Sequence, residues 1–133
     1  MEPLTLAASR WTAGKGLDII LDLVGGPYVS PGIEMLASRG RLMLVGAVAG
    51  SQTTIDVRRI LGKRLTIRGT VLRARPLEEK VEVARAFERD VLPRLAHGDV
   101  RPVIDSVFPL EQLPDAHRRM ESNTSFGKIV VTI

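Results

Sequence analysis

The sequence of 133 residues contains no cysteine. Disulfide bonds, thiolate zinc sites and cysteine nucleophiles are therefore excluded, and the composition suits the reducing cytoplasm, which is the predicted location. Aromatic side chains are also scarce, since the chain has three Phe, one Tyr and one Trp. Long apolar runs are missing as well: no stretch approaches the roughly 20 residues that a bilayer crossing requires, so no membrane partner is predicted.

What the chain does contain is the balance of a folded globular protein, with 44% hydrophobic and 26% charged residues. The formal net charge of +4 raises the alternative of a small basic nucleic-acid-binding domain. The basic residues are scattered among acids, as in Glu78-Glu79-Lys80 and Arg89-Asp90, and few aromatic rings are available for base stacking. A solvated, mildly basic surface is the better interpretation. A steep loss of DNA affinity with salt would identify the alternative.

The sequence lacks the common motifs for phosphate binding, metal binding and hydrolysis. Gly14-Lys15-Gly16 begins like a dinucleotide fingerprint, but Ile19 stands where the third glycine is required. That segment also leads into a predicted strand, whereas the fingerprint follows one. His97 and His117 stand alone on separate predicted helices. No catalytic residue and no metal site are therefore predicted.

Asp18 and Asp22 point to the same side of a predicted strand, because they lie four residues apart. Paired-carboxylate catalysis is one interpretation of this spacing. A strand-end carboxylate that accepts hydrogen bonds from neighbouring backbone N–H groups explains Asp22 with fewer assumptions.

Short apolar runs alternate with helical patterns in the first part of the chain. The predicted strands are Leu17–Val24, Arg41–Val45 and Leu65–Gly69, and the predicted helices between them are Pro31–Ala37, which Gly40 closes, and Val57–Leu61. Strands separated by helices run parallel when they share a sheet, and their crossovers are right-handed. The predicted fold class is therefore α/β, with a layered parallel sheet.

A long amphipathic helix, from Pro76 to about Ala96, follows these strands. Pro93 removes one backbone donor inside it, so a bend or a change of helix is expected near residues 89–93. The remaining predicted elements are a strand at Val103–Phe108, a helix at about Glu111–Ser122 and a strand at Lys128–Ile133.

Small residues follow each of the first three predicted strands. These strand ends are Val24-Gly25-Gly26, Val45-Gly46-Ala47 and Gly69-Thr70-Val71-Leu72. Ligands of parallel sheets lie beyond the carboxyl ends of the strands, and small residues there let a flat cofactor approach the backbone. Glycine that simply terminates a strand is an equally good interpretation of the spacing alone.

The order of several segments carries a family resemblance. Three of them read Gly16-Leu-Asp-Ile-Ile-Leu-Asp-Leu-Val-Gly-Gly26, Gly40-Arg-Leu-Met-Leu-Val-Gly46 and Lys63-Arg-Leu-Thr-Ile-Arg-Gly-Thr-Val-Leu-Arg-Ala-Arg75. Four more are Arg101-Pro-Val-Ile-Asp105, Phe108-Pro109, Ala116-His-Arg-Arg-Met-Glu121 and Gly127-Lys-Ile-Val-Val131. Together they resemble the carboxyl-terminal part of zinc-free quinone oxidoreductases in the medium-chain dehydrogenase/reductase, or zinc-type alcohol dehydrogenase-like, family. The resemblance covers about residues 14–133.

The resemblance implies that the first three strands are the second half of a Rossmann-type sheet. Residues 1–100 would then be a partial dinucleotide-binding domain, and residues 101–133 an extension that packs on a separate catalytic domain. The implied activity of the parent enzyme is metal-free, NAD(P)H-dependent reduction of a quinone or enone by hydride transfer, with NADP(H) favoured over NAD(H). The glycine-rich half of the Rossmann sheet is not in this sequence, so the chain alone is expected to be inactive.

Ten residues are expected from the resemblance to contact the dinucleotide, mostly through the backbone. They are Val24 and Gly25 at its adenosine half, Gly46, Ala47 and Val48 at its centre, Thr70, Val71 and Leu72 at the nicotinamide carboxamide, and Asn123 and Lys128 in a loop that reaches the cofactor from the other domain.

The resemblance also implies a homodimer, formed by edge-to-edge pairing of residues 65–72. Exposed strand edges need such cover on physical grounds, and a half-sheet has a second open edge. Stronger self-association than in the intact enzyme is therefore expected. A non-catalytic dimerisation or cofactor-binding module, and the nucleic-acid-binding domain, remain the alternative functions.

Overall fold

A computed structural model describes residues 2–133 of the chain. By its internal contacts the chain divides into two compact units, residues 1–76 and residues 77–133. The predicted boundary at residue 100 refers to packing on a separate catalytic domain, and it stays a prediction.

The first unit is a three-stranded parallel sheet with helical connections. Its elements are α1 (Leu4–Trp11), β1 (Leu17–Asp22), α2 (Val29–Met35), β2 (Leu36–Leu44), α3 (Val57–Lys63) and β3 (Thr66–Gly69). The strand order is β1-β2-β3, and both neighbouring pairs are parallel. The predicted α/β fold with a Rossmann-type parallel sheet is confirmed.

The core of this unit lies on one face of the sheet. Ile20, Leu42 and Ile67 are paired in register across the three strands, so their side chains share that face. Leu42, on the central strand, is 0% exposed and packs with Ile33 of α2. On the other face of β1, Ile19 is 50% exposed and Leu21 is 68% exposed. The sheet is therefore well covered on one side only.

Several boundaries differ from the prediction. β2 begins at Leu36, which pairs with Leu17, and the register then shifts before the regular pairing of the two strands. Arg39 has a φ of +63° in this irregular part. Gly40, predicted to close the preceding helix, lies in this strand, while the helix ends at Met35. Gly40 therefore belongs to an irregular part of a strand, and it does not mark the end of a helix.

The first helix, α1, was not predicted. It begins after Pro3 without a capping side chain, and it buries only Ala7 and Ala8. Two small apolar residues make a weak periodic signal, and no capping residue marks the start.

The second unit contains three helices and a pair of strands. Its elements are α4 (Leu77–Asp90), α5 (Leu92–His97), β4 (Ile104–Pro109), α6 (Leu113–Glu121) and β5 (Lys128–Thr132). The two strands pair in parallel. The predicted break near residues 89–93 is confirmed, because α4 ends at Asp90 and Pro93 lies in the first turn of α5. No helix within residues 2–133 is both long and apolar enough to cross a membrane.

Candidate functional site

The carboxyl ends of the three parallel strands lie side by side in the first unit. The first strand-end loop (residues 23–28) and the second (residues 45–50) are joined by a hydrogen bond from the Ala49 N–H to the Val24 carbonyl, 2.9 Å between N and O. The Thr70 N–H donates to the Leu44 carbonyl at 2.9 Å, which connects the end of β3 to β2. The structure thus brings eight of the ten predicted residues to one edge of the sheet. They are Val24, Gly25, Gly46, Ala47, Val48, Thr70, Val71 and Leu72.

Two glycines allow the two strand-end loops to interlock. A Cβ added at Gly46 would lie 2.3 Å from the Leu23 carbonyl oxygen, which is far inside van der Waals contact. Gly25 has a φ of +70°, and a Cβ there would lie 2.8 Å from the Ala47 Cα. These glycines are therefore required by the packing of one loop against the other, whatever ligand the loops receive.

Asp22 ends β1 and organises the first strand-end loop. The residue is 6% exposed, and its Oδ1 accepts hydrogen bonds from the Val24 and Gly25 N–H groups, each at 2.8 Å. The predicted capping role is confirmed. Its Oδ2 finds no hydrogen-bond partner in the described part of the chain. Asp18, by contrast, is exposed.

The segment that follows β3 is held by Arg75, a residue that the sequence did not single out. The Arg75 Nε donates to the Val71 carbonyl at 2.9 Å, and its Nη2 donates to the Thr70 Oγ1 at 2.6 Å. No spacing rule connects an arginine to a threonine five residues earlier outside a helix. The Arg75–Thr70 contact forms only in the folded loop. There the guanidinium adds positive charge to the candidate edge.

Exposed apolar side chains line the same edge. Val48 is 87% exposed, and the other members of this surface are between half and two thirds exposed, namely Leu23, Val71 and Leu72. Ligand sites commonly combine such apolar contacts with a few polar groups. This edge therefore offers apolar contact area to a ligand.

A cleft of about 430 Å³ lies elsewhere in the first unit, beside the amino ends of β1 and β2. Lys63 lines it, and its Nζ donates to the carbonyl oxygens of Glu34 at 2.8 Å and Leu36 at 2.6 Å. This ammonium group thus satisfies the backbone at the end of α2. None of the ten predicted residues lines the cleft.

The other two predicted residues, Asn123 and Lys128, belong to the second unit. Asn123 has a φ of +52°, and its Nδ2 donates to the Glu121 carbonyl at 3.2 Å. Lys128 begins β5, and its N–H donates to the Val103 carbonyl at 2.8 Å. They lie at the two ends of one loop.

A charged pair that the sequence did not reveal fixes that loop. The Arg119 Nε and Nη2 donate to the two carboxylate oxygens of Asp105 at 3.0 and 2.9 Å, and the Phe126 N–H donates to the same carboxylate at 2.9 Å. The Arg119 Nη1 also reaches the Thr124 Oγ1 at 2.7 Å. Hydrogen bonds from Arg119, then from the Phe126 N–H, hold the pKa of Asp105 well below its usual value. The same carboxylate raises the pKa of Arg119.

Comparison with known proteins decides the family. A family model described as zinc-binding dehydrogenase matches residues 2–131. The chain belongs to this family. Within residues 2–133 of this zinc-binding dehydrogenase chain, no group of three or more His, Asp or Glu side chains is placed to hold a metal ion.

Individual relatives support the same assignment. The chain is 31% identical to the synaptic vesicle membrane protein VAT-1 homolog of Danio rerio, over 92% of this chain and 28% of that protein. It is 28% identical to the quinone oxidoreductase of Homo sapiens, over 93% of this chain and 36% of that protein. The chain thus spans about a third of the length of the curated relatives it matches.

Solved structures agree with the fold. The quinone oxidoreductase from Thermus thermophilus, solved also in complex with NADPH, has a TM-score of 0.73 and 30% identity, over 98% of this chain and 40% of that chain. An NAD-dependent alcohol dehydrogenase has a TM-score of 0.72 and 27% identity, over 97% of this chain and 35% of that chain. The resemblance to the carboxyl-terminal part of quinone oxidoreductases in the medium-chain dehydrogenase/reductase family is confirmed.

Proposed function

We propose that this zinc-binding dehydrogenase chain forms part of an NAD(P)H-dependent oxidoreductase and contacts the dinucleotide with the carboxyl edge of β1, β2 and β3. The observation that carries the proposal is the meeting of three strand ends at one edge with exposed apolar side chains around them. The quinone oxidoreductases among the relatives, and the NADPH complex of one of them, support a quinone or enone as substrate and NADP(H) as cofactor.

The chemistry would be hydride transfer, which the nicotinamide supplies when the dinucleotide is bound. The residues of this chain would bind and orient it. Val71 and Leu72 would pack beside the nicotinamide and keep water away from it, and Val48 would face the centre of the cofactor. Backbone groups of Thr70–Leu72 would orient the nicotinamide carboxamide, and Arg75 would keep that segment in place. None of these residues is proposed to be catalytic.

The residues present fit the apolar and ribose parts of a dinucleotide better than its diphosphate. A diphosphate is usually held by the backbone N–H groups of a glycine-rich turn at a helix start, and this sequence contains no such motif. We therefore propose that the chain is inactive alone and that another part of the enzyme holds the diphosphate. Contacts from Asn123 and Lys128 stay a prediction from the family resemblance, as does a cytoplasmic location.

A homodimer through residues 65–72 is part of the same proposal. β3 forms an edge of the three-stranded sheet, and an unpaired edge offers backbone donors and acceptors to a second strand. A dimerisation module without catalysis is the alternative function that this edge favours. Sedimentation at high concentration tests the self-association that both share, because a monodisperse monomer would contradict the dimer and the module alike.

Cofactor titration tests the proposed function directly. NADPH and NADH are added to the purified chain and followed by calorimetry or nicotinamide fluorescence. Saturable binding in the micromolar range, about −8 kcal/mol, would support a site at the strand ends. No binding at millimolar cofactor would contradict the proposal for this chain.

A charge substitution maps the site. Val48→Asp places a carboxylate on the 87% exposed position of the second strand-end loop and should weaken dinucleotide binding at least tenfold through repulsion and lost apolar contact. Leu61→Asp is the matched control, because Leu61 is 71% exposed on α3 and the change in net charge is the same. Equal effects of the two variants would contradict a site at the strand ends.

A further inference from the structure

Asp22 holds backbone N–H groups from both strand-end loops at once. Its Oδ1 accepts from Val24 and Gly25 at 2.8 Å each, within the first loop. Its carbonyl oxygen accepts from Val45 at 2.7 Å and from Gly46 at 3.3 Å, at the start of the second loop. One residue at the end of β1 thus accepts four backbone hydrogen bonds, two from each strand-end loop.

We propose that Asp22 is a positioning residue, which fixes both strand-end loops in the conformation that receives the dinucleotide. This inference rests on the proposed function, because it assigns Asp22 to the same edge of the sheet. Asp22 itself would not touch the cofactor, since the residue is 6% exposed and lies beneath the loops.

The interlocking of the loops makes the effect of Asp22 reach the second loop as well as the first. A Cβ at Gly46 would lie 2.3 Å from the Leu23 carbonyl oxygen, so the two backbones already touch. A Cβ at Gly25 would likewise lie only 2.8 Å from the Ala47 Cα. A shift of the first loop after loss of its carboxylate acceptor must therefore displace the second.

The geometry also predicts which substitution preserves the function. Both side-chain hydrogen bonds of Asp22 go to Oδ1, and Oδ2 finds no partner among residues 2–133. One acceptor oxygen is therefore sufficient to hold the Val24 and Gly25 N–H groups. Asparagine provides that oxygen, whereas leucine fills a similar volume without any acceptor.

The test compares Asp22→Asn, Asp22→Leu and the control Leu42→Ala in the full chain. Leu42 is fully buried in the core beside Ile33 and Leu36, so Leu42→Ala destabilises the fold without removing a loop hydrogen bond. Dissociation constants for NADPH are measured at a temperature where each variant is folded by circular dichroism. Hydrogen exchange of the Val24 and Gly25 amides is measured without cofactor. Asp22→Ala, which also lacks an acceptor, replaces Asp22→Leu if the latter does not fold, and the same result is expected for it.

The expected result separates positioning from stability. Asp22→Leu should raise the NADPH dissociation constant at least tenfold and expose both amides to exchange, whereas Asp22→Asn should stay within about threefold of wild type. Leu42→Ala should bind as wild type when folded. The inference is overturned if folded Asp22→Leu binds normally, or if Leu42→Ala loses as much affinity. If wild type binds neither NADPH nor NADH, the proposed function fails and the positioning role with it, while amide exchange still reports whether Asp22 orders the loop.

Discussion

Gly46→Ala is the substitution whose effect the structure specifies most sharply. The added Cβ would lie 2.3 Å from the Leu23 carbonyl oxygen and 3.0 Å from the Leu23 carbonyl carbon. Both atoms belong to the backbone, so no side chain can rotate away to make room. One of the two strand-end loops must move, and its hydrogen bonds to the other loop are then stretched or lost.

The expected cost follows from that displacement. Overpacked sites lose about 1–3 kcal/mol, and a clash with rigid backbone belongs at the upper end, so we expect Gly46→Ala to lower the free energy of unfolding by about 3 kcal/mol. For a unit of this size that corresponds to a melting temperature lower by roughly 12 to 24 °C. Thermal and urea unfolding, followed by far-ultraviolet circular dichroism, measure both quantities.

Two other glycines serve as controls for the same chemical change. A Cβ at Gly69 or at Gly62 meets no atom within 4 Å, and neither residue has a positive φ. Gly69→Ala should change the free energy of unfolding by less than about 0.5 kcal/mol. Gly62 lies inside α3, so Gly62→Ala should stabilise by about 0.5–1 kcal/mol. If Gly46→Ala is as well tolerated as Gly69→Ala, the interlocking of the loops is refuted.

Two further predictions concern charge and backbone conformation. Hydrogen bonds from Arg119 and the Phe126 N–H lower the pKa of Asp105 in the folded state. Ionised Asp105 therefore contributes its full stability above about pH 4, the usual carboxyl pKa. This stability is lost as the pH falls from there through the lower pKa of the folded state. Asp105→Asn should therefore have a lower free energy of unfolding at neutral pH, and that free energy should fall less steeply below about pH 4 than in wild type. Equal pH dependence of the free energy of unfolding in the two proteins would contradict a stabilising Asp105–Arg119 pair. Ala13 has a φ of +50°, so Ala13→Gly should stabilise by about 0.5–1 kcal/mol in urea unfolding, and a loss of stability would show that this backbone carries no strain.

All five strands were predicted from the sequence, because each contains a short run of mostly branched apolar residues with glycine or proline beside it. The strand ends were less accurate. β1 stops at Asp22, two residues before the predicted Val24, because the Asp22 carboxylate turns the chain by binding the N–H groups that follow. β2 starts at Leu36 because pairing with Leu17 extends it beyond the apolar run.

The location of the candidate site was predictable, but its supporting contacts were not. Strand ends are recognised from local sequence, since ligands of parallel sheets lie beyond them. Arg75 and the pair of Asp105 with Arg119 act through hydrogen bonds that form only after folding. Asp105 and Arg119 are 14 residues apart, and no helical or strand period brings such positions together.

The register of the parallel sheet also has a consequence for assembly. Ile20 pairs with Leu42, and Leu42 with Ile67, so partners are roughly 20 to 25 residues apart, a short separation for a parallel sheet. The entropy lost on closing such short crossovers is small. The order of these strands along the chain is therefore also their order in the sheet, and the core of the first unit can be assembled from two short crossovers without any long-range strand pairing.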